Sequence, residues 1–120
     1  MTVWQCIAAG AAIACAFAGT SAQAGSKTFS GVASYYGKNY HGRTARGDRY
    51  DPHKFTAAHR SLPFGTKVRV TNPRNNEAVT VVINDRGPFV RGRVLDLSLA
   101  AAKALHMTER GVTRVTASIE

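Results

Sequence analysis

Residues 66–84 read TKVRVTNPRNNEAVTVVIN. In Thr66–Thr71 the side chains alternate, Val68 and Val70 to one face, Lys67, Arg69 and Thr71 to the other. Asn72-Pro73-Arg74-Asn75-Asn76 is built from residues that bend a chain and interrupt a ladder. Ala78–Asn84 is a second β-rich run, with Val79, Val81 and Ile83 on one face, and Val82 implies that the other face is partly covered. Two runs of period two around a turn predict a hairpin.

The pattern continues outward from the hairpin. Downstream, Asp85-Arg86-Gly87-Pro88-Phe89 is a sharp turn and a short strand is expected around Arg93–Leu95. Ser98 is placed to cap a helix over Leu99–Leu105, with Leu97 as a staple against Ala102. Thr108–Gly111 is a turn, and Val112–Ile119 is a last strand with Val115, Ala117 and Ile119 on one face. Upstream, Ser61-Leu62-Pro63-Phe64-Gly65 is a turn and Phe29–Tyr36 (FSGVASYY) reads as a strand. Between them Gly37–Thr56 is a long irregular segment, and such a loop in a small domain usually carries function. The order is mainly β with one short helix, and neither a βαβ repeat nor a dinucleotide fingerprint is present. A small barrel or a sandwich fits, and the pattern does not choose between them.

The first 24 residues contain no Lys, Arg, Asp, Glu or His. They are rich in Ala and Gly and end in Ser21-Ala22-Gln23-Ala24, a small-x-small pattern. This predicts a signal peptide over 1–24 and a domain over 25–120 exported to the periplasm or cell envelope. Cys6 and Cys15 both fall in the leader, so the domain has no disulfide. Lipid anchoring at Cys15 is disfavoured because Ala12-Ile13-Ala14 lacks the usual upstream Leu. Lys and Arg number 16 against 7 Asp and Glu, a formal net charge of +9, all of it in 25–120. Such a balance implies polyanionic surroundings, including peripheral contact with an anionic envelope surface. No recognition helix, zinc-finger spacing or RNA-binding signature points to nucleic acid.

Four side chains are candidates for chemistry: Asp48, Asp51, His59 and Asp85. Asp85 has a rigid strand behind it and an exposed turn ahead, which suits a proton donor; the plainer role is to cap its own turn. His59 orients a carboxylate, binds sugar or titrates, or is simply satisfied by backbone. Asp48 and Asp51 support a sugar site or cap the long loop. The aromatic residues Tyr35, Tyr36, Tyr40, Tyr50 and Phe89 line a groove or pack a core. His106 reads as structural, where Gly would be the better residue after a helix. The His and Asp spacings match no compact zinc or calcium pattern, so neither a metal nor a cofactor is expected.

Five stretches together carry a resemblance: GVASYYG at 31–37, HGRTARGDRYD at 41–51, FTAAHRSLPFGTKVRVTN at 55–72, VINDRGPFVRGRVLDLSLAAAKAL at 82–105 and GVTRV at 111–115. With these the chain resembles the rare lipoprotein A (RlpA) family. The resemblance implies a small six-stranded double-psi β-barrel with one short helix. It also implies an endolytic lytic transglycosylase that cuts the bond between N-acetylmuramic acid and N-acetylglucosamine in peptidoglycan and leaves a 1,6-anhydro end. Some members prefer glycan stripped of its stem peptides. On the family pattern Asp85 matches the essential aspartate, His59 the essential histidine and Asp51 an active-site aspartate, while Asp48 stands where active members carry Glu. Tyr36, His41, Arg43, Thr44, Tyr50, Arg86 and Phe89 are expected to contact the glycan. In the mechanism so implied, Asp85 protonates the glycosidic oxygen, and the same carboxylate or His59 takes the proton of the muramic acid 6-hydroxyl. The expected partner is the peptidoglycan glycan strand, bound by a monomer. The alternative is an expansin-like domain that binds or loosens glycan without turnover. Septal targeting, which many relatives owe to a further repeat domain, is not carried over.

Overall fold

The computed structural model describes residues 27–120; the leader expected over 1–24 lies outside them. The strands are β1 (Lys27–Tyr35), β2 (Thr56–Ala58), β3 (Lys67–Asn72), β4 (Glu77–Asp85), β5 (Arg93–Leu97) and β6 (Thr113–Ile119), with helix α1 (Leu99–Ala104) between the last two strands. They close into a barrel in the order β1-β5-β2-β4-β3-β6. Closure leaves no free sheet edge, which suits a domain this small. β1 runs parallel to β5 and β2 parallel to β4, and all other neighbours are antiparallel. This is a six-stranded double-psi β-barrel, as the resemblance implied, and the barrel replaces the sandwich that the pattern alone left open.

The hairpin forms in the expected register, with Val68 opposite Val81 and Val70 opposite Val79. Val68, Val70, Val81, Ile83, Leu95, Leu97 and Val115 are fully buried in the barrel core, and Leu105 and Met107, after the helix, belong to the same buried cluster. Burying such side chains contributes about 1.5–3 kcal/mol each. Ser98 caps α1 as expected, its Oγ accepting from Ala101 N–H at 3.2 Å. The helix stops at Ala104, one residue early. There Met107 N–H reaches back to the Ala102 carbonyl at 3.1 Å and His106 N–H to the Lys103 carbonyl at 3.0 Å. His106 takes the left-handed conformation, φ 56°, in the position that usually belongs to Gly, so it is structural as read.

One strand departs from the sequence reading. Thr56–Ala58 is a strand, where the pattern gave the end of a loop followed by two alanines. Three residues are too few to display a period, yet β2 is central, pairing with both β4 and β5. It also aligns the site. Ala57 pairs with Ile83 on β4, but Ala58 pairs with Asp85, so Asn84 is an extra residue. This bulge brings Asp85 round to the face carrying Ala58 and, on β5, its partner Asp96.

Candidate active site

Asp85 ends β4, and each of its oxygens is engaged. Oδ1 accepts from Ala45 N–H at 2.7 Å and from Arg86 N–H at 2.8 Å. Oδ2 accepts from the Tyr36 hydroxyl at 2.5 Å. The strand therefore holds the backbone, the two N–H groups hold one oxygen, and the second oxygen is the one presented for chemistry. Tyr36 follows β1, its own N–H donating to the Leu97 carbonyl at 3.0 Å. Burial first, and then the hydrogen bond and charge of Asp85, push the Tyr36 phenol far above its ordinary range. Tyr36 therefore remains a proton-bearing partner throughout the working pH range.

Tyr36 is fixed from behind by an aromatic cluster. It stacks on Tyr50 with ring centroids 4.4 Å apart and planes 18° from parallel, and Tyr40 meets Tyr50 edge-on at 5.4 Å. Tyr50 is buried and its hydroxyl accepts from Leu99 N–H at 3.0 Å, tying the long loop to the start of α1. Burial also raises the Tyr50 phenol. Tyr50 is thus packed behind Tyr36 and supports its ring.

Asp96 is a second carboxylate on this face, and the sequence reading did not single it out. The Ser34 hydroxyl donates to its Oδ1. Its charge is felt at Tyr36, and its Oδ2 lies 3.9 Å from where a Cβ on Gly87 would stand. Asp85 and Asp96 are the partners of Ala58 on either side, so one alanine separates two carboxylates across three strands.

His59 follows β2, and its N–H donates to the Asp85 carbonyl at 3.2 Å. Its Nδ1 accepts from both Ser61 and Leu62 N–H at 3.0 Å. Nδ1 therefore carries no proton, and the neutral ring bears its hydrogen on Nε2. Burial, with Arg60 and Arg86 nearby, holds the imidazole below its ordinary value of 6.5. The ring packs edge-on against Phe29 at 5.3 Å. Arg86 clamps this turn: its Nη1 donates to the Leu62 carbonyl at 2.9 Å and the His59 carbonyl at 3.3 Å, and its guanidinium lies 4.1 Å over the Phe64 ring. That makes Arg86 a positioning residue by geometry.

Asp48 and Asp51 make no hydrogen bond with the Tyr36–Asp85 pair. They line a cleft of about 220 Å³ together with Arg46, Arg49, Lys54, Thr56, Val82 and Asn84. Asp51 Oδ1 accepts from His53 N–H at 2.9 Å, a loop-capping contact. Asp48 is exposed, and its carbonyl accepts from Thr44 N–H at 2.8 Å. Thr44 is buried and its hydroxyl has no partner among the described residues. His41 and Arg43 are exposed, Arg43 donating to the Gly47 carbonyl at 3.0 Å. Phe89 stands 77% exposed beside Gly87, an aromatic face at the rim next to Asp96. Among the described residues no group of three or more His, Cys, Asp or Glu is arranged to hold a metal ion.

A paired carboxylate and phenol, a second carboxylate and an exposed aromatic rim suit acid–base chemistry on a carbohydrate. A family model described as lytic transglycolase matches residues 28–117. The chain belongs to that family. This lytic transglycolase domain is 59% identical over 91 residues to the probable endolytic peptidoglycan transglycosylase RlpA of Nostoc sp., covering 73% of the chain and 24% of that relative. It is 54% identical over 86 residues to the endolytic peptidoglycan transglycosylase RlpA of Pseudomonas aeruginosa, covering 71% of the chain and 25% of the relative. The chain thus spans about a quarter of the length of these curated relatives. In fold, the family member is similar to a Streptomyces papain inhibitor (TM-score 0.63, 24% identity, 78% of this chain and 96% of that one). It is equally similar to an expansin of Clavibacter michiganensis (TM-score 0.62, 23% identity, 78% and 50%). These two share the barrel fold.

Proposed function

We propose that this domain is an endolytic peptidoglycan lytic transglycosylase with Asp85 as its acid and base. The supporting observation is the division of labour at Asp85: two backbone N–H groups occupy Oδ1, and Tyr36 faces the presented Oδ2. The proton rides on Oδ2 and passes to the glycosidic oxygen as the bond from C1 of muramic acid breaks. The Asp85 carboxylate then accepts the proton of the 6-hydroxyl, whose oxygen closes on C1. Atoms balance without water, so the two-carboxylate spacing of hydrolases does not apply. Tyr36 steadies the carboxylate between the two steps. Asp96 lies on the far side of β2 and favours the positive charge that develops at C1. His59 has its Nδ1 committed to two N–H donors, so it acts as a hydrogen-bond donor through Nε2, and the base is the carboxylate. Phe89 offers a face for a sugar ring.

The same reading takes 1–24 as a leader for export and 25–120 as the working domain, acting on glycan strands in the envelope as a monomer. Asp48, in place of the family Glu, favours the second reading, a glycan-binding barrel without turnover. Mass spectrometry of peptidoglycan digests separates the two. Anhydro-ended fragments from the purified chain, absent with Asp85→Asn, support turnover. Retention on glycan with no fragments from intact or peptide-stripped strands overturns it.

A further inference from the structure

We infer that the outer face of β6 and its neighbours β1 and β3 docks on a bilayer of anionic phospholipid and leaves the carboxylate site turned away from it. The inference goes beyond the glycan-cleaving reading and stands whether or not the domain cleaves. In the barrel order β1-β5-β2-β4-β3-β6, β6 lies across from β2. Ala58 of β2 sits between Asp85 and Asp96. The face centred on β6 is therefore the back of the molecule relative to the two carboxylates.

Strand alternation decides what this face presents. Val68 and Val70 on β3 and Val115 and Ala117 on β6 are buried. Lys67, Arg69 and Thr71, and likewise Arg114, Thr116 and Ser118, therefore point outward. On β1 the buried Ala33 sets the same phase and turns Thr28 and Ser30 outward. The registers line these side chains up in two rows, Thr28–Ser118–Arg69 and Ser30–Thr116–Thr71. The short hydroxyl side chains keep the surface flat, and Lys67, Arg69 and Arg114 rise above it.

Charge is divided between the two halves of the barrel. β1, β6 and β3 carry Lys27, Lys67, Arg69 and Arg114 and no Asp or Glu. β5, β2 and β4 carry Glu77, Asp85 and Asp96 against Arg93 alone. Among the described residues the ion pair is His106 with Glu77, and none of the four cations of the back face has a carboxylate partner. Glu120, which follows β6, accepts from the Thr80 hydroxyl of β4 at 3.2 Å. Four uncompensated cations on one face select a polyanion.

Shape selects the kind of polyanion. A glycan strand stacks its rings on aromatic side chains, and the exposed large apolar residues Tyr40, Phe55, Phe64, Phe89, Val90 and Val112 all lie outside these three strands. Arg69 and Arg114 stand one strand and four residues apart, roughly 14 Å by strand spacing. That is too far to share one phosphate, so each meets its own. An anionic bilayer offers a plane of phosphates to the cations, and its headgroups accept from the Thr and Ser hydroxyls.

Co-sedimentation of the full chain with vesicles tests this, using phosphatidylcholine alone or with roughly one third phosphatidylglycerol. An apolar leader inserts into both kinds alike, so the ratio of the two affinities reads the charged face. At low salt the wild type is expected to prefer the anionic vesicles by roughly 100-fold. Arg69→Gln/Arg114→Gln is expected to lower that ratio at least about tenfold, while Arg69→Lys/Arg114→Lys keeps most of it. Lys54→Gln/Lys103→Gln removes the same charge away from the face and is expected to keep most of it too. Asp85→Asn is expected to bind vesicles as the wild type does. Equal affinity of the wild type for both vesicles overturns the inference. Equal losses from the arginine pair and from the Lys54 and Lys103 pair reduce the effect to net charge and also overturn it. Loss with the lysine replacements as large as with glutamine assigns the arginines to a directed anion site instead of a bilayer. Sedimentation with peptidoglycan sacculi that depends on Arg69 and Arg114, without preference between vesicles, assigns the face to wall carboxylates and overturns the bilayer as its partner.

Discussion

The Tyr36 hydroxyl donates to Asp85 Oδ2 at 2.5 Å, joining the end of β1 to the end of β4 across 49 positions of sequence. Stacking on Tyr50 fixes the ring, and burial keeps the phenol protonated. This bond sets the direction of the one carboxylate oxygen that backbone donors leave open. Tyr36→Phe removes the bond and keeps the stack. A hydrogen bond to a charged group contributes about 1.5–3 kcal/mol, so turnover is expected to fall roughly 10- to 100-fold. Initial rates of anhydro-product release, measured on protein that remains folded at the assay temperature, check this. An unaltered rate removes Tyr36 from the mechanism.

Asp96 is the second carboxylate on the Asp85 face. Asp96→Asn keeps an acceptor for the Ser34 hydroxyl and deletes the charge. If that charge favours the developing cation at C1, turnover falls by at least about tenfold while glycan binding holds. Parallel measurement of kcat and of affinity for uncut strands reads the two effects apart. An equal loss in binding and in rate assigns Asp96 to substrate holding instead.

His59 makes the fold sensitive to acid. Its folded-state value lies below the ordinary 6.5, so the unfolded chain binds the proton more readily. Stability from this group is therefore complete above about pH 6.5 and is lost as pH falls from there through the folded value. Protonation at Nδ1 also expels the Ser61 and Leu62 N–H donors. His59→Asn supplies a side-chain oxygen toward the same donors without titrating. Denaturant melts from pH 7.5 to 5 are expected to show a steeper decline for wild type than for the variant, and parallel curves refute the assignment.

Close packing at the β1–β5 contact gives a purely structural prediction. A Cβ on Gly31 would stand 2.6 Å from Val94 Cγ1 and 3.1 Å from Cγ2, next to the register shift between Val32 and Ala33. Gly31→Ala is expected to destabilise the barrel by about 1–3 kcal/mol, as overpacking does. Urea unfolding with an unchanged m-value and a lower midpoint is the expected signature.

The hairpin was legible because Val68, Val70, Val81 and Ile83 repeat a period that only a strand satisfies. The Ser98 cap and the turn at His106 were legible because cap chemistry is local. β2 was not, since three residues hold no period and Ala57 and Ala58 suit a helix as well. Its status comes from two neighbouring strands, which only the closed barrel supplies. At the site, Asp85 and His59 stood out by family pattern, and they lie on adjacent strand ends, joined by the His59 N–H to the Asp85 carbonyl. Asp96 was missed because it alternates with Leu95 and Leu97 as any outward polar residue of a strand does, and its partner Ser34 is 62 positions away. For Tyr50 the sequence left groove and core both open, and its burial against Tyr36 and the start of α1 comes from parts of the chain distant in sequence.

Asp48 supplies the sharpest test of how complete the site is. The resemblance sets it where active members are expected to carry Glu; it is exposed, and it lines the cleft one residue from Arg49. A shorter side chain withdraws the carboxylate by about one methylene, a little over 1 Å. Its backbone, held by Thr44 N–H at 2.8 Å, keeps the loop from following. A misplacement of that size costs up to about 100-fold when the group belongs to the chemistry. Asp48→Glu is therefore expected to raise the rate of anhydro-product formation several-fold, with no change in melting temperature because the position is exposed. Asp48→Asn is expected to lower it. A rate indifferent to both substitutions shows that this carboxylate is only a solvated wall of the cleft, and that Asp85, Tyr36 and Asp96 suffice without it.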